Sequence, residues 1–352
     1  MIIQILKYKL IFKQPAGTSR GVMKTKDTWF IKLIDESNGK SGLGEINMFK
    51  GLSSDDTPGF TLKLEELYSK PLNFINKIHE KLLEFPSIRF GLEMALLDLK
   101  TENPNVLFEN DFTKGKKGIP INGLIWMGDI DFMKSQIAEK LDRGFNCLKM
   151  KIGAINFEEE YKMLRSIRNE FSGSDLELRV DANGAFQSFE ALHKLEKLSK
   201  LNIHSIEQPI RQGNWENMAA LCEKTPLAIA LDEELIGVHL TADRKKLLDK
   251  INPQYIILKP ALTGGFQSSE EWINMALKRN IGWWITSALE SNVGLNAIAQ
   301  WTASLNTQEY QGLGTGQLYV NNIESPLFIL GERLFYNTEL NWQNIGFNGK
   351  EI

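Results

Sequence analysis

Cysteine and histidine are both scarce in this chain. Two cysteines in 352 residues, Cys147 and Cys222, cannot make a disulfide framework, so a reducing, cytosolic setting is expected. The four histidines, His79, His193, His204 and His239, are scattered, and none ends an apolar run. An imidazole-built zinc site is therefore not expected. No uncharged apolar run reaches the ~18 residues that a membrane helix needs. The opening, MIIQILKYKLIFKQ, is interrupted by Lys7 and Lys9, unlike a signal peptide. An excess of one charge is missing too. Lys and Arg total 41 against 44 Asp and Glu, a formal net charge of −3, which leaves no basic footprint for nucleic acid or an anionic membrane. What remains is an ordinary globular composition, 42% hydrophobic and 24% charged. The chain is longer than one simple core organises, so one large barrel or two domains is expected.

The first 50 residues read as antiparallel strands. TWFIKLID and GLGEINMF flank Ser37-Asn38-Gly39, a hairpin turn signal. Residues 13–26, KQPAGTSRGVMKTK, are too rich in Gly, Pro, Ser and Lys to predict an element; they form a solvated connection or a lid. Helices are predicted from Leu62 to Leu83 and from Pro86 to Lys100, the second opening on Pro-Ser. A shift in composition over 101–118 marks a domain boundary. Beyond it, eight short apolar runs alternate with helical segments such as Asp131–Arg143 and Phe157–Glu170. The runs are IPINGLI, NCLKMKI, LELRVDA, IHSIEQP, LAIALDE, QYIILKP, GWWITSA and EYQGLGT. Alternating β and α units imply a parallel sheet, and eight of them imply a closed (β/α)8-type barrel, with a doubly wound open sheet as the competitor. The last stretch, from Pro326, has the pattern of short strands returning to the N-terminal part.

Within LKMKIG, strand alternation puts Leu148, Met150 and Ile152 on one face and Lys149 and Lys151 on the other. Two inward ammonium groups need an anion opposite them, unless one lysine is uncharged. The other runs supply it. Lys151 ends the second, Asp181 the third, Glu207 the fourth, Asp232 the fifth, Lys259 the sixth and Ser287 the seventh, at intervals of 30, 26, 25, 27 and 28 residues. Each interval is one βα unit, so these residues face the C-terminal mouth where barrel active sites lie. A single carboxylate there reads as a helix cap or a surface charge; three in register, with lysines on both sides, read as a site. Three carboxylates form an oxygen-only shell suited to Mg²⁺ or Mn²⁺. A lysine beside another cation has a depressed pKa and can act as a base. Lys149 would be that neighbour for Lys151, and the set suits abstraction of a proton α to a carboxylate.

Taken together, LKMKIG, RVDANGAF, SIEQPI, ALDEEL, ILKPALTGG and TSALESNVGLNAIAQ resemble the enolase superfamily, in its muconate-lactonizing subgroup. Members of that superfamily use a lysine or histidine base with Mg²⁺. Within the subgroup the motifs are most similar to the o-succinylbenzoate synthases of menaquinone biosynthesis. The resemblance implies an α/β fold: a modified (β/α)8 barrel, (β/α)7β, over residues 109–320, capped by an N-terminal α+β domain (1–108) that residues 321–352 complete. It implies Mg²⁺, with Mn²⁺ as substitute, on Asp181, Glu207 and Asp232. Lys151 becomes the acid/base. Lys259 opposes it, as an electrostatic partner in a synthase or a second acid/base in a racemase. Asn183 and Glu233 would support the metal, although an Asn-Gly turn and a solvated helix start explain them equally well. Substrate contacts are expected from Ser287, Glu290, Ser291 and Asn292, from Gly312 and Gly314, and from Ser19 and Arg20 in the 13–26 segment.

The implied reaction is a syn elimination of water from 2-succinyl-6-hydroxy-2,4-cyclohexadiene-1-carboxylate. The competing activities are N-succinylamino acid racemase, muconate cycloisomerase and dipeptide epimerase; a non-catalytic binding barrel is the reading from another class. Dipeptide epimerases of the subgroup carry an Asp-x-Asp pair where this chain has Gly314-Thr315-Gly316, which counts against that activity. The glycines of GLGTG also lack the G-x-G-x-x-G spacing of a dinucleotide loop. The expected partner is a small carboxylate. Neither nucleic acid nor a membrane is expected, and whether the chain self-associates stays open.

Overall fold

A computed structural model describes residues 1–18, 21–347 and 350–352. The N-terminal layer is an antiparallel sheet of β1 (Ile2–Thr18), β2 (Gly21–Ile34) and β3 (Ser41–Ile46). The turn between β2 and β3 falls at the predicted Ser-Asn-Gly, with Gly39 at φ 72° and the Asp35 carboxylate accepting from Ser37 N at 3.0 Å. Residues 13–18 and 21–26 differ from expectation. They continue β1 and β2 as a two-stranded arm, with pairing interrupted between Ile11 and Ala16 and resumed at Ala16↔Met23. The interruption accommodates Pro15, which has no N–H to donate to a ladder. Ser19 and Arg20, named above for substrate contact, lie outside the described residues.

Behind the sheet come α1 (Gly59–Ser69), α2 (Leu72–Ile75), α3 (Ile78–Lys81) and α4 (Pro86–Lys100). The single helix predicted over 62–83 is thus three pieces. The first break falls at Pro71, whose ring collides with the preceding helical turn, and the second at Asn76–Lys77, where Lys77 leaves the helical region at φ −140°. Trp29, Ile31, Phe60, Leu64, Ile88 and Leu92 form the core between sheet and helices. Gly42 and Gly44 let β3 lie directly on α4: a Cβ on Gly44 would stand 2.0 Å from the Gly91 carbonyl oxygen.

After 101–118, which holds no helix or strand, β4 (Ile119–Pro120) and β5 (Gly123–Ile125) open the alternating part. Then follow α5 (Ile130–Asp142), β6 (Cys147–Lys151), α6 (Phe157–Glu170), β7 (Glu177–Asp181), α7 (Ser188–Ser199), β8 (Ser205–Glu207), α8 (Trp215–Lys224), β9 (Ile229–Leu231), α9 (Thr241–Ile251), β10 (Tyr255–Leu258), α10 (Pro260–Thr263), α11 (Gly265–Leu277), β11 (Gly282–Ile285) and α12 (Asn292–Ser304). The seven strands β5 to β11 lie in sequence order, all parallel. The expected eighth strand is reduced to two bridging residues: Gly312 pairs with Thr286 and Gln311 with Ile121, which closes the ring. Its glycine is required there, because a Cβ on Gly312 would meet Thr286 Cγ2 at 2.4 Å.

The C-terminal stretch forms β12 (Leu327–Leu330) and β13 (Arg333–Tyr336), a hairpin that pairs with β4, and β14 (Lys350–Glu351), which pairs with β1. Among the described residues no helix is long and apolar enough to cross a membrane.

Candidate active site

Parallel pairing sets the register of the site. Lys151 is paired with Asp181 across β6 and β7, and Asp181 with Glu207 across β7 and β8. Asp232 and Lys259 each stand one residue beyond β9 and β10. The apolar face of β6 is buried as predicted, with Leu148, Met150 and Ile152 at most 1% exposed. Lys149 and Lys151 point the other way, into the mouth.

There the six charges interlock. Lys149 Nζ lies 3.1 Å from Asp181 Oδ2 and hydrogen-bonds Glu207. Lys151 Nζ donates to the same Asp181 oxygen at 2.9 Å and to Asn183 Oδ1 at 2.6 Å. Lys259 pairs with Asp232 and stands 3.8 Å from Glu207. Asp181 is thus an anion of the kind the two inward ammonium groups call for, shared between Lys149 and Lys151. Asn183 turns the chain and bonds on both sides. Its backbone is left-handed at φ 44°, and its side chain links Lys151 to Glu233, donating to Glu233 Oε1 at 3.0 Å.

Burial works against every charge here, and the partners decide the outcome. Desolvation pushes Lys149 down, but Asp181 and Glu207 outweigh it and raise its pKa. Lys259 is raised in the same way by Asp232 and Glu207. Burial opposes ionisation of Asp181, yet the three lysines hold its carboxyl well below the usual range. Glu207 is pushed up to about 7 by burial and by the neighbouring Asp181, with Lys149 opposing. It is the least satisfied of the three carboxyls: Oε1 is buried without a hydrogen-bond partner.

The donor set fits a hard divalent cation. Asp181, Glu207 and Asp232 offer only oxygens, all three are buried, and Glu207 has an oxygen to spare. Among the described residues no three acidic, imidazole or thiol side chains are already gathered into a cation shell; the lysines are folded onto the carboxylates instead.

The cavity above these charges is lined by Ser287, Gly312 and Gly314, three of the residues named above for substrate contact, and by Thr286 and Thr315. Glu290, Ser291 and Asn292 do not line it. Leu289 is left-handed (φ 61°), which turns the chain away from the mouth into α12. Glu290 and Ser291 bond the N-terminal layer, and Asn292 bonds Asn322 and Ile323. The strand-end rule missed the apolar walls: Leu124 within β5, Trp126 just after it, and Phe49 and Leu52 from the loop after β3. Met48, Phe49 and Leu52, large apolar residues in a loop otherwise polar with Ser and Asp, were the available signal.

This fold and site define a class. The chain belongs to the Enolase C-terminal domain-like family, whose model matches residues 133–331. It is 49% identical over 353 aligned residues to the o-succinylbenzoate synthase of Desulfotalea psychrophila, covering 92% of this chain and 95% of that protein. The crystal structure of MenC from the same organism superposes with a TM-score of 0.84 at 45% identity, covering 95% of this chain and 99% of that one. An N-succinyl-L-Arg/Lys racemase of Bacillus cereus is 24% identical over 84% of this chain and 81% of its own length.

Proposed function

We propose that the chain is a metal-dependent lyase of menaquinone biosynthesis, converting 2-succinyl-6-hydroxy-2,4-cyclohexadiene-1-carboxylate to 2-succinylbenzoate and water in the cytoplasm. The carrying observation is the ring of strand-end charges, with Lys151 and Lys259 on opposite sides of Asp181, Glu207 and Asp232 at one cavity. The likeness to the Desulfotalea synthase supports the substrate. Two free, buried cysteines suit a reducing compartment.

Asp181, Glu207 and Asp232 would hold Mg²⁺ or Mn²⁺, which supplies a Lewis acid for the substrate carboxylate. Lys151 Nζ, deprotonated, takes the proton α to that carboxylate, and the C–H electrons pass into a dianionic enediolate. Lys259, whose positive charge its carboxylates favour, stabilises that charge from the opposite side. The electrons then return to form the ring double bond as the C–O bond to the hydroxyl breaks. Lys151 gives its proton to the departing oxygen, which leaves as water on the face from which the proton came. Asn183, bonded to Lys151 at 2.6 Å, orients the amine, and Phe49, Leu52 and Leu289 wall the cavity around the substrate body.

Lys259 also favours a second activity, because a lysine on each face is what racemisation of an N-succinylamino acid requires. A steady-state assay with Mg²⁺ separates the two, run on the diene beside N-succinylamino acids of both configurations. Fast diene turnover with slow racemisation is the expected result, and the reverse ranking would assign the site to a racemase. Lys151→Ala should lower either activity by about 10²–10⁴-fold; retention of activity would sink the assignment of the base.

A further inference from the structure

A buried polar cluster lies where the N-terminal layer meets the barrel, outside the reacting centre. Asn47, fully buried just beyond β3, is its hub. Its amide nitrogen donates to the Ala288 carbonyl at 3.0 Å and to Glu290 Oε1 at 2.8 Å. Its amide oxygen accepts from the buried amine of Lys26 on β2. Lysine only donates, which fixes the orientation of the amide. Glu290 closes the circuit by accepting from Ala288 N at 2.7 Å. Beside it, Glu45 accepts from Ser291 N at 2.9 Å and Gly294 N at 2.8 Å, and so caps α12 from the other layer.

The cluster's position matters because of what adjoins it. Ala288 and Leu289 are cavity wall on the barrel side; Phe49, two residues after Asn47, and Leu52 are cavity wall on the other. Leu289 holds a left-handed backbone that a branched side chain avoids, and such a residue persists only where its surroundings over-determine it. Its carbonyl is held by Tyr319 Oη at 2.8 Å, and the residue before it is held by Asn47 and Glu290.

We infer that Asn47 is a positioning residue: by tying Ala288 to the strand that leads into Phe49, it fixes the spacing of the two apolar walls and so the fit of the substrate body. The inference rests on the proposed function only for the reaction through which it is read. Asn47→Asp keeps an oxygen for Lys26 but replaces the amide donor with an acceptor facing the Ala288 carbonyl and Glu290. Asn47→Ala removes both ends. The walls touch the substrate body and not the proton in flight, so KM for the diene should rise at least tenfold with kcat within about threefold, the pattern of lost uniform binding. Amide hydrogen exchange of the ligand-free protein should quicken at 286–292 and 47–53 together, and remain unchanged in α6.

An unchanged KM, or a kcat that falls while KM holds, would overturn the inference. So would unchanged exchange at 286–292. If neither variant is soluble, Asn47 is structural and the inference fails. Wild-type protein inactive on the diene would count against the proposed reaction alone, because the exchange measurement decides the tie without a substrate.

Discussion

Lys149 carries the sharpest test of the charge ring. Its ammonium is buried, 3.1 Å from Asp181 Oδ2 and hydrogen-bonded to Glu207. Lys149→Met leaves an unbranched side chain one atom shorter and removes the charge. Asp181 retains Lys151 at 2.9 Å. Glu207 retains only Lys259, at 3.8 Å, and its Oε1 already lacks a hydrogen bond. Removing one partner from a buried ion pair costs about 3–5 kcal/mol, because the other charge stays desolvated. For 352 residues, at an unfolding entropy of about 2.1 cal/mol/K per residue, that is a fall in Tm of about 4–7 °C. A divalent cation on the same oxygens supplies the missing positive charge, and in the variant it no longer competes with Lys149. Calorimetry in EDTA and in excess Mg²⁺ should therefore show the full loss only in EDTA, with Mg²⁺ raising the variant's Tm more than the wild type's. Equal losses in the two buffers would refute the cation site. A variant as stable as wild type in EDTA would refute the electrostatics.

Gly44→Ala would drive a Cβ to 2.0 Å from the Gly91 oxygen and 3.1 Å from Ala95 N. Both are backbone atoms, so β3 must lift off α4. The expected loss is at least about 1–3 kcal/mol, read as a lower urea midpoint, and an unchanged midpoint would contradict the close packing. Glu93 accepts from Phe266 N at the start of α11, faces His79, Arg89 and Glu270, and is pushed up to about 7 by burial. A raised carboxyl favours the folded state while protonated, so this contribution is present at low pH and lost as pH climbs from about 4.5 to about 7, roughly 3 kcal/mol in all. Glu93→Gln keeps an oxygen for Phe266 N and should remove that slope, so that the variant is the more stable of the two at pH 8. Parallel Tm curves between pH 5 and 8 would show that Glu93 titrates normally.

Much of the barrel was legible because strand and helix patterns are local. Leu148, Met150 and Ile152 alternate with Lys149 and Lys151 whatever lies elsewhere in the chain, and each βα unit returns the next strand end to the same mouth. Hence Asp181, Glu207, Asp232 and Lys259 could be placed together from spacing alone. The same local logic failed at residues 13–18 and 21–26, where turn-forming composition concealed paired strands, and at Leu62–Leu83, where Pro71 makes the first of two breaks in the helix.

The sequence by itself determined the alternation, the register of six strand-end residues and the oxygen-only character of the three carboxylates, because these follow from periodicity and side-chain chemistry. Only the tertiary structure decided how the charges are shared, with Asp181 between two lysines and Glu207 incompletely satisfied. It alone turned Glu290–Asn292 away from the cavity and brought Phe49 and Leu52 in. Those outcomes depend on contacts such as Asn47 to Ala288, 241 residues apart in sequence, and no local pattern encodes which two distant segments will share a buried hydrogen bond.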